Sequence, residues 1–186
     1  LWALVTMIYG GMMALTQDDI KRFLAYSSIS QMGYIFLGLA SVTPNGEVGA
    51  MFHYISHGFG KAILFLVAGV LISQTATRSI KKMGGLADRM PWTAVMAVIG
   101  FLTIGGVPPT MGFMSKFFIF AGVFNNGLAT PELVWAGIVG IIMTVLTIGY
   151  AFWLIRRVFY GPLPEHLKQV KDAPMMMLGP IIIFAV

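Results

Sequence analysis

Apolar residues run along this chain in long blocks, and charge is largely confined to the gaps between them. A helix needs roughly 20 apolar residues to cross the ~30 Å hydrocarbon core of a bilayer. On that measure the sequence predicts six membrane segments, at 1–17, 23–42, 48–77, 90–124, 133–155 and 174–186. No useful stretch alternates apolar and polar residues with the period of two that a half-buried strand requires, and a helix satisfies its own backbone in lipid. The expectation is an all-α, polytopic transmembrane bundle forming one transmembrane domain over residues 1–186. The chain opens without a methionine inside one apolar run and stops inside another, so both ends read as cut.

The fourth segment is too long for one plain helix and contains Gly105, Gly106, Val107, Pro108, Pro109, Thr110, Met111 and Gly112. Two prolines remove two backbone donors, and glycines tolerate irregular dihedrals. A break over 105–112 is therefore expected, with Gly105, Gly106, Pro108 and Pro109 shaping a cavity between two half-helices. The basic residues support counting the pair as one span. With six spans, the loops at 18–22, 78–89 and 156–172 carry Lys21, Arg22, Arg78, Lys81, Lys82, Arg89, Arg156, Arg157, Lys168 and Lys171, and the two remaining loops carry none. All ten then fall on one face, which the positive-inside rule makes cytoplasmic.

Composition agrees: 58% of residues are hydrophobic and 10% charged, with a mean hydropathy of +0.84. A soluble domain carries about 25% charged residues. Lipid must cover what water cannot, and the net charge of +5 reports orientation rather than nucleic-acid binding. Cysteine is absent, which excludes disulfides, thiolate metal sites and iron–sulfur ligation by this chain.

Two of the 12 basic residues lie inside apolar segments, Lys61 and Lys116. An ionisable group there costs at least about 2.5 kcal/mol on insertion scales, so it faces a partner or a wet cavity. His53 and His57 precede Lys61 by two turns and one turn, which places all three on one helical stripe. Histidine titrates near neutrality and desolvation disfavours a charged amine, so the stripe can act as a proton relay. The bland alternative is a snorkelling lysine with histidines bonded to neighbouring helices. Lys116 follows the break by a turn or two, where the positive end of the second half-helix disfavours a cation. Its alternative role is an ion pair beside a simple proline kink. Ser27, Ser30 and Gln31 are candidates for a water path or for interhelical hydrogen bonds. Asp18, Asp19, Lys21 and Arg22 read as solvated loop charge.

Other chemistries fail on residues. The spacing of His53 and His57 lacks the glutamate of a zinc-protease motif, and no carboxylate lies within a span, so neither a metal site nor a Schiff-base lysine with its counter-ion is expected. His166 lies in a loop, which argues against haem. The 14 methionines, Met175, Met176 and Met177 among them, read as packing residues.

The run Ala14 to Arg22 continuing through Ala25-Tyr26-Ser27-Ser28-Ile29-Ser30-Gln31-Met32-Gly33-Tyr34 resembles a signature of the antiporter-like membrane subunits of complex I and of related Mrp-type antiporters and membrane-bound hydrogenases. So do Gly84-Gly85-Leu86, the His53, His57, Lys61 and Ala62 set, and Gly106-Val107-Pro108-Pro109 to Ser115-Lys116-Phe117. The resemblance implies inverted five-helix repeats with one broken helix each, this chain holding most of the second. It implies a hydrophilic axis lined by His53, His57 and Lys61, with Lys116 leading to the exit. It implies no redox cofactor on this chain, other membrane subunits as partners, and protons, with Na+ as the alternative, as the transported ion. Lysine at 116 is more similar to the L-type than to the M-type subunit. Three functions follow as expectations: a proton-translocating subunit of a redox-driven respiratory complex, a subunit of a multi-subunit Na+/H+ antiporter, or a non-transporting membrane scaffold.

Overall fold

A computed structural model describes residues 1–127, 130–172 and 174–185. Among the described residues seven α-helices follow one another: α1 (Trp2–Leu15), α2 (Ile20–Ala40), α3 (Pro44–Thr75), α4 (Pro91–Gly105), α5 (Met111–Gly127), α6 (Pro131–Phe159) and α7 (Met175–Ala185). Short 3-10 turns lie at Ile80–Lys82, Leu86–Asp88 and Glu165–Leu167. Among the described residues α2, α3 and α6 are long and apolar enough to cross a membrane, while α1 and α4 are shorter apolar helices. Val186, at the end of the last predicted segment, and the side chains of Met175, Met176 and Met177 lie outside the described residues. Trp135, Ile142 and Val145 turn large apolar side chains outward from α6, as a lipid-facing helix does.

Helix α3 is the hub, packed on by α2, α4, α5 and α7, while α1 lies along α2. Small residues permit the close approaches. A β-carbon on Gly10 would collide with the Ser30 backbone, and one on Gly49 would collide with the backbone of Phe118 and Ile119. Two apolar clusters result. One joins Phe23 and Leu24 of α2 to Leu64, Phe101, Tyr150 and Leu154; the other joins Tyr34 and Leu37 to Met7, Ile119 and Met143. On α2 the polar residues Ser27, Ser30 and Gln31 fall between the parts that feed the two clusters.

The three basic loops meet at one end of the bundle. Asp18 accepts from the Ser79 hydroxyl at 2.6 Å and the Lys81 amide at 2.9 Å, and Asp19 caps α2 by accepting from the amides of Lys21 and Arg22. Arg157 donates to the Lys81 carbonyl at 3.3 Å. Asp18 and Asp19 thus tie loop segments together while remaining partly exposed to solvent. One expectation is corrected: Arg156 and Arg157 lie in the last turn of α6 rather than in a loop. At the opposite end Asn126 of α5 donates to the Ser41 carbonyl at 2.8 Å. Helix α4 starts at the basic end and α5 finishes at the other, so the interrupted pair traverses the bundle once.

The hydrogen bond from Ser79 holds the Asp18 carboxyl below its ordinary value of 3.8, with the Lys81 amide and the Lys81 and Lys82 charges adding to it. A lowered carboxyl stabilises the fold above its unfolded value and loses that contribution as pH falls through the folded one. The difference in thermal midpoint between the native protein and Asp18→Asn should therefore be full at neutral pH and shrink below about pH 4. A difference unchanged at pH 3 would show that the tie does not depend on the carboxylate charge.

Candidate functional site

The break between α4 and α5 follows from proline arithmetic. In an uninterrupted helix the Ile104 carbonyl would accept from residue 108 and the Gly105 carbonyl from residue 109. Both positions are proline and carry no N–H, so these two carbonyls are released together. Gly106 ends α4 in the left-handed region at φ 74°, and its amide turns back to Leu102 and Thr103. The Val107 amide also bonds Leu102, and Thr110 opens the next helix by bonding the Val107 carbonyl through both its amide and its hydroxyl. Gly112 lets α5 begin hard against the Thr103 carbonyl, where a β-carbon would collide.

Lys116 fills the gap that the prolines open. Its Nζ donates to the Ile104 carbonyl at 3.1 Å and the Gly105 carbonyl at 3.2 Å, and sits 4.5 Å above the centre of the Tyr34 ring. The amine is therefore placed at the break itself and not at the amide end of α5. Although the residue belongs to the first turns of α5, its amine reaches back to the carbonyl end of α4, where the helix dipole favours a cation. A cation over an aromatic face adds attraction of the same sign. Tyr34 is held in place by α6: its hydroxyl donates to the Gly140 carbonyl at 3.3 Å and accepts from Thr144 at 3.1 Å.

Lys61 sits in a second pocket of neutral oxygens. Its Nζ donates to the Leu24 carbonyl at 2.7 Å and the Ser27 hydroxyl at 2.6 Å, both on α2. The amine is thus bonded to α2 rather than to the histidines of its own stripe. His53 and His57 stack with ring centres 6.1 Å apart, and His53 Nδ1 shares a 2.9 Å hydrogen bond with the Ser115 hydroxyl, next to Lys116. The Ser115 hydroxyl also lies 2.9 Å from the Gly112 carbonyl, and among the described residues His53 Nε2 has no hydrogen-bond partner. Ser56 adds a hydroxyl 3.4 Å from Ser115. His57 Nδ1 is also unpartnered, and its ring borders an open pocket of about 370 Å³ lined by Tyr54, Ile55, Gly58, Phe59 and Phe184. The four groups are nearly sealed from solvent: His53 is 1% exposed, Lys116 3%, Lys61 7% and His57 8%.

The three polar residues of α2 part company. Ser27 holds Lys61, whereas Ser30 donates to the Met7 carbonyl at 2.9 Å, the interhelical hydrogen bond that was its other reading. Gln31 is fully buried and faces the Tyr150 hydroxyl. Tyr34 and Ser115, which the sequence offered only as members of the resemblance motifs, join the site with a role of their own, and Ser56 joins without having been singled out. Tyr34 stands two turns beyond Ser27 on the same face of α2, and Ser115 adjoins Lys116, so both carried a positional signal.

A bundle of apolar helices, one of them interrupted, with one buried lysine at the interruption and a second against a neighbouring helix, defines an integral membrane protein of the antiporter-like class. The chain belongs to the family described as NADH:quinone oxidoreductase/Mrp antiporter, transmembrane, which residues 1–147 match. It is 38% identical to the F(420)H(2) dehydrogenase subunit M of Methanosarcina mazei over 168 residues, 90% of this chain and 33% of that protein. It superposes on a chain of the membrane-bound sulfane sulfur reductase, an archaeal respiratory membrane complex, with a TM-score of 0.90 and 37% identity, covering 98% of this chain and 30% of that one. A chain of respiratory complex I from Thermus thermophilus gives a TM-score of 0.87 at 30% identity, covering 98% and 37%. The chain thus spans about a third of the length of these relatives.

Proposed function

We propose that this chain is part of a proton-translocating membrane subunit of a redox-driven respiratory complex, and that protons pass among His53, His57, Lys61 and Lys116 with water between them. The observation that carries this reading is the chemistry around the two amines. Among the described residues each is bonded to neutral oxygens alone: Leu24 and Ser27 for Lys61, Ile104 and Gly105 for Lys116. A lysine buried against a carboxylate cannot release its proton without leaving an unpaired buried anion, which is expensive. An amine held by carbonyls leaves no such anion, and when neutral it still has two N–H donors for the same acceptors. Such a group can alternate between charged and neutral forms inside the membrane. His53 Nε2 and His57 Nδ1, both without partners, supply places for a proton or a water between the amines.

The names of the relatives support redox coupling, since a dehydrogenase, a sulfur reductase and complex I each move electrons. In this reading electron transfer belongs to partner subunits, no redox cofactor is held by this chain, and coupling arrives through contacts between membrane subunits. The clustered loops 18–22, 78–89 and 156–172 face the cytoplasm of a cell (inner) membrane, as their Lys and Arg content favours. The test uses sealed vesicles containing the full-length complex, driven by its own electron donor in sodium-free buffer, with the internal pH followed by a dye. Proton uptake or release that a protonophore collapses is the expected result. A strict requirement for Na+ would instead favour the antiporter function, and electron transfer with no ion movement would favour a scaffold.

A further inference from the structure

Helix α4 is held at both ends by side chains from elsewhere in the chain. At its carbonyl end stands Lys116. At its amide end stands Asp172, from the segment joining α6 to α7: its carboxylate accepts from the Trp92 amide at 2.9 Å and from the Thr93 hydroxyl at 2.6 Å. Helix α4 has no cap of its own, because the residue before Pro91 is Met90, whose side chain has nothing to accept with. Trp92 is one of the orphan donors of the first turn, and a carboxylate there also meets the positive pole of the helix. The segment that delivers Asp172 is itself latched. Leu163, Leu167 and Val170 pack into the larger apolar cluster, and Gly84 and Gly85 lie against the carbonyls of Pro162 and Gly161.

We propose that Asp172 is a positioning residue for the Lys116 site, fixing α4 along its axis so that the Ile104 and Gly105 carbonyls stand where the amine can use them. This inference rests on the lysine reading above. A 15-residue helix is about 22 Å long and nearly incompressible, so a displacement at Trp92 reappears at Ile104. The break removes one axial support, because α5 does not continue the α4 hydrogen-bond ladder, and leaves α4 its lateral packing on α3 and α6. Thr93 is fully buried, so its hydroxyl cannot exchange the Asp172 bond for bulk water.

The experiment compares Asp172→Ala, Asp172→Asn and Thr93→Val in the full-length complex. Assembly is followed on native gels, backbone hydrogen exchange is followed across residues 91–106, and proton transport is measured against pH in sealed vesicles. For Asp172→Ala the expected result is native assembly, faster exchange along α4, transport reduced about three- to tenfold as for loss of a helix cap, and a displaced pH profile. Asp172→Asn, whose amide oxygen accepts one of the two bonds, should recover part of the loss. Native transport with a native pH profile in an assembled Asp172→Ala complex would overturn the proposal; if Lys116→Ala is inactive in the same vesicles, the lysine reading survives. Should Asp172→Ala fail to assemble, Thr93→Val decides: it removes only the 2.6 Å bond, and a native rate and pH profile there would equally overturn the proposal.

Discussion

Lys116→Met should block proton transport and lower stability more than Lys116→Ala, the reverse of the order expected for an ordinary buried side chain. The Ile104 and Gly105 carbonyls have lost their helical donors to Pro108 and Pro109 and depend on the Lys116 amine. Methionine fills much of the lysine's volume with apolar atoms and leaves both carbonyls dry, at about 1–3 kcal/mol each. Alanine opens a space with two convergent carbonyls at its wall, which is the kind of site that water occupies. Neither variant can accept and return a proton at this point, so transport should fall about a hundredfold in both, the scale on which a positioned proton-transfer group acts. Thermal midpoints of the purified complexes, read beside vesicle pumping, check both halves. A midpoint for Lys116→Met at or above that of Lys116→Ala would mean the carbonyls find other donors.

Lys61→Ala should be as inactive as Lys116→Ala while remaining more stable. Its acceptors do not depend on it. The Ser27 hydroxyl also donates to the Leu24 carbonyl at 2.9 Å, and that carbonyl lies inside α2, where the helix ladder supplies an amide. Removing Lys61 therefore orphans nothing, and the cost reduces to lost packing, partly offset by deleting a group that is expensive to bury. Ser27→Ala takes away the shorter of the two Lys61 bonds and should lower transport by a smaller factor. Transport at the native rate in an assembled Lys61→Ala complex would remove this residue from the path.

The helical fold was legible because membrane burial writes long apolar blocks into the sequence, and the two prolines mark the interruption. The same prolines, counted back four residues, even name the carbonyls that are released. What occupies those carbonyls was not legible. A dipole argument applied to α5 alone did not say where the Lys116 amine goes, because a lysine side chain is long enough to leave its own helix and reach the carbonyls of the preceding one. The stripe of His53, His57 and Lys61 identified a shared helix face but not the neighbour each member meets, and the amine of Lys61 went to α2. Ser30 and Gln31 shared the apparent signal of Ser27 yet point to α1 and to Tyr150. Asp172 carried no signal, since its partners lie about 80 residues away and only the folded path of the α6–α7 connection brings them together.

The measurement closest to the central claim is the number of protons translocated per electron by complexes carrying Lys61→Arg and, separately, Lys116→Arg. Arginine keeps the positive charge and the N–H donors for the carbonyl acceptors but does not release its proton at any physiological pH. If these lysines carry protons by alternating between charged and neutral forms, assembled arginine complexes should move few or none. Native proton-to-electron ratios in both would show that the site needs only a fixed charge, and would contradict the account.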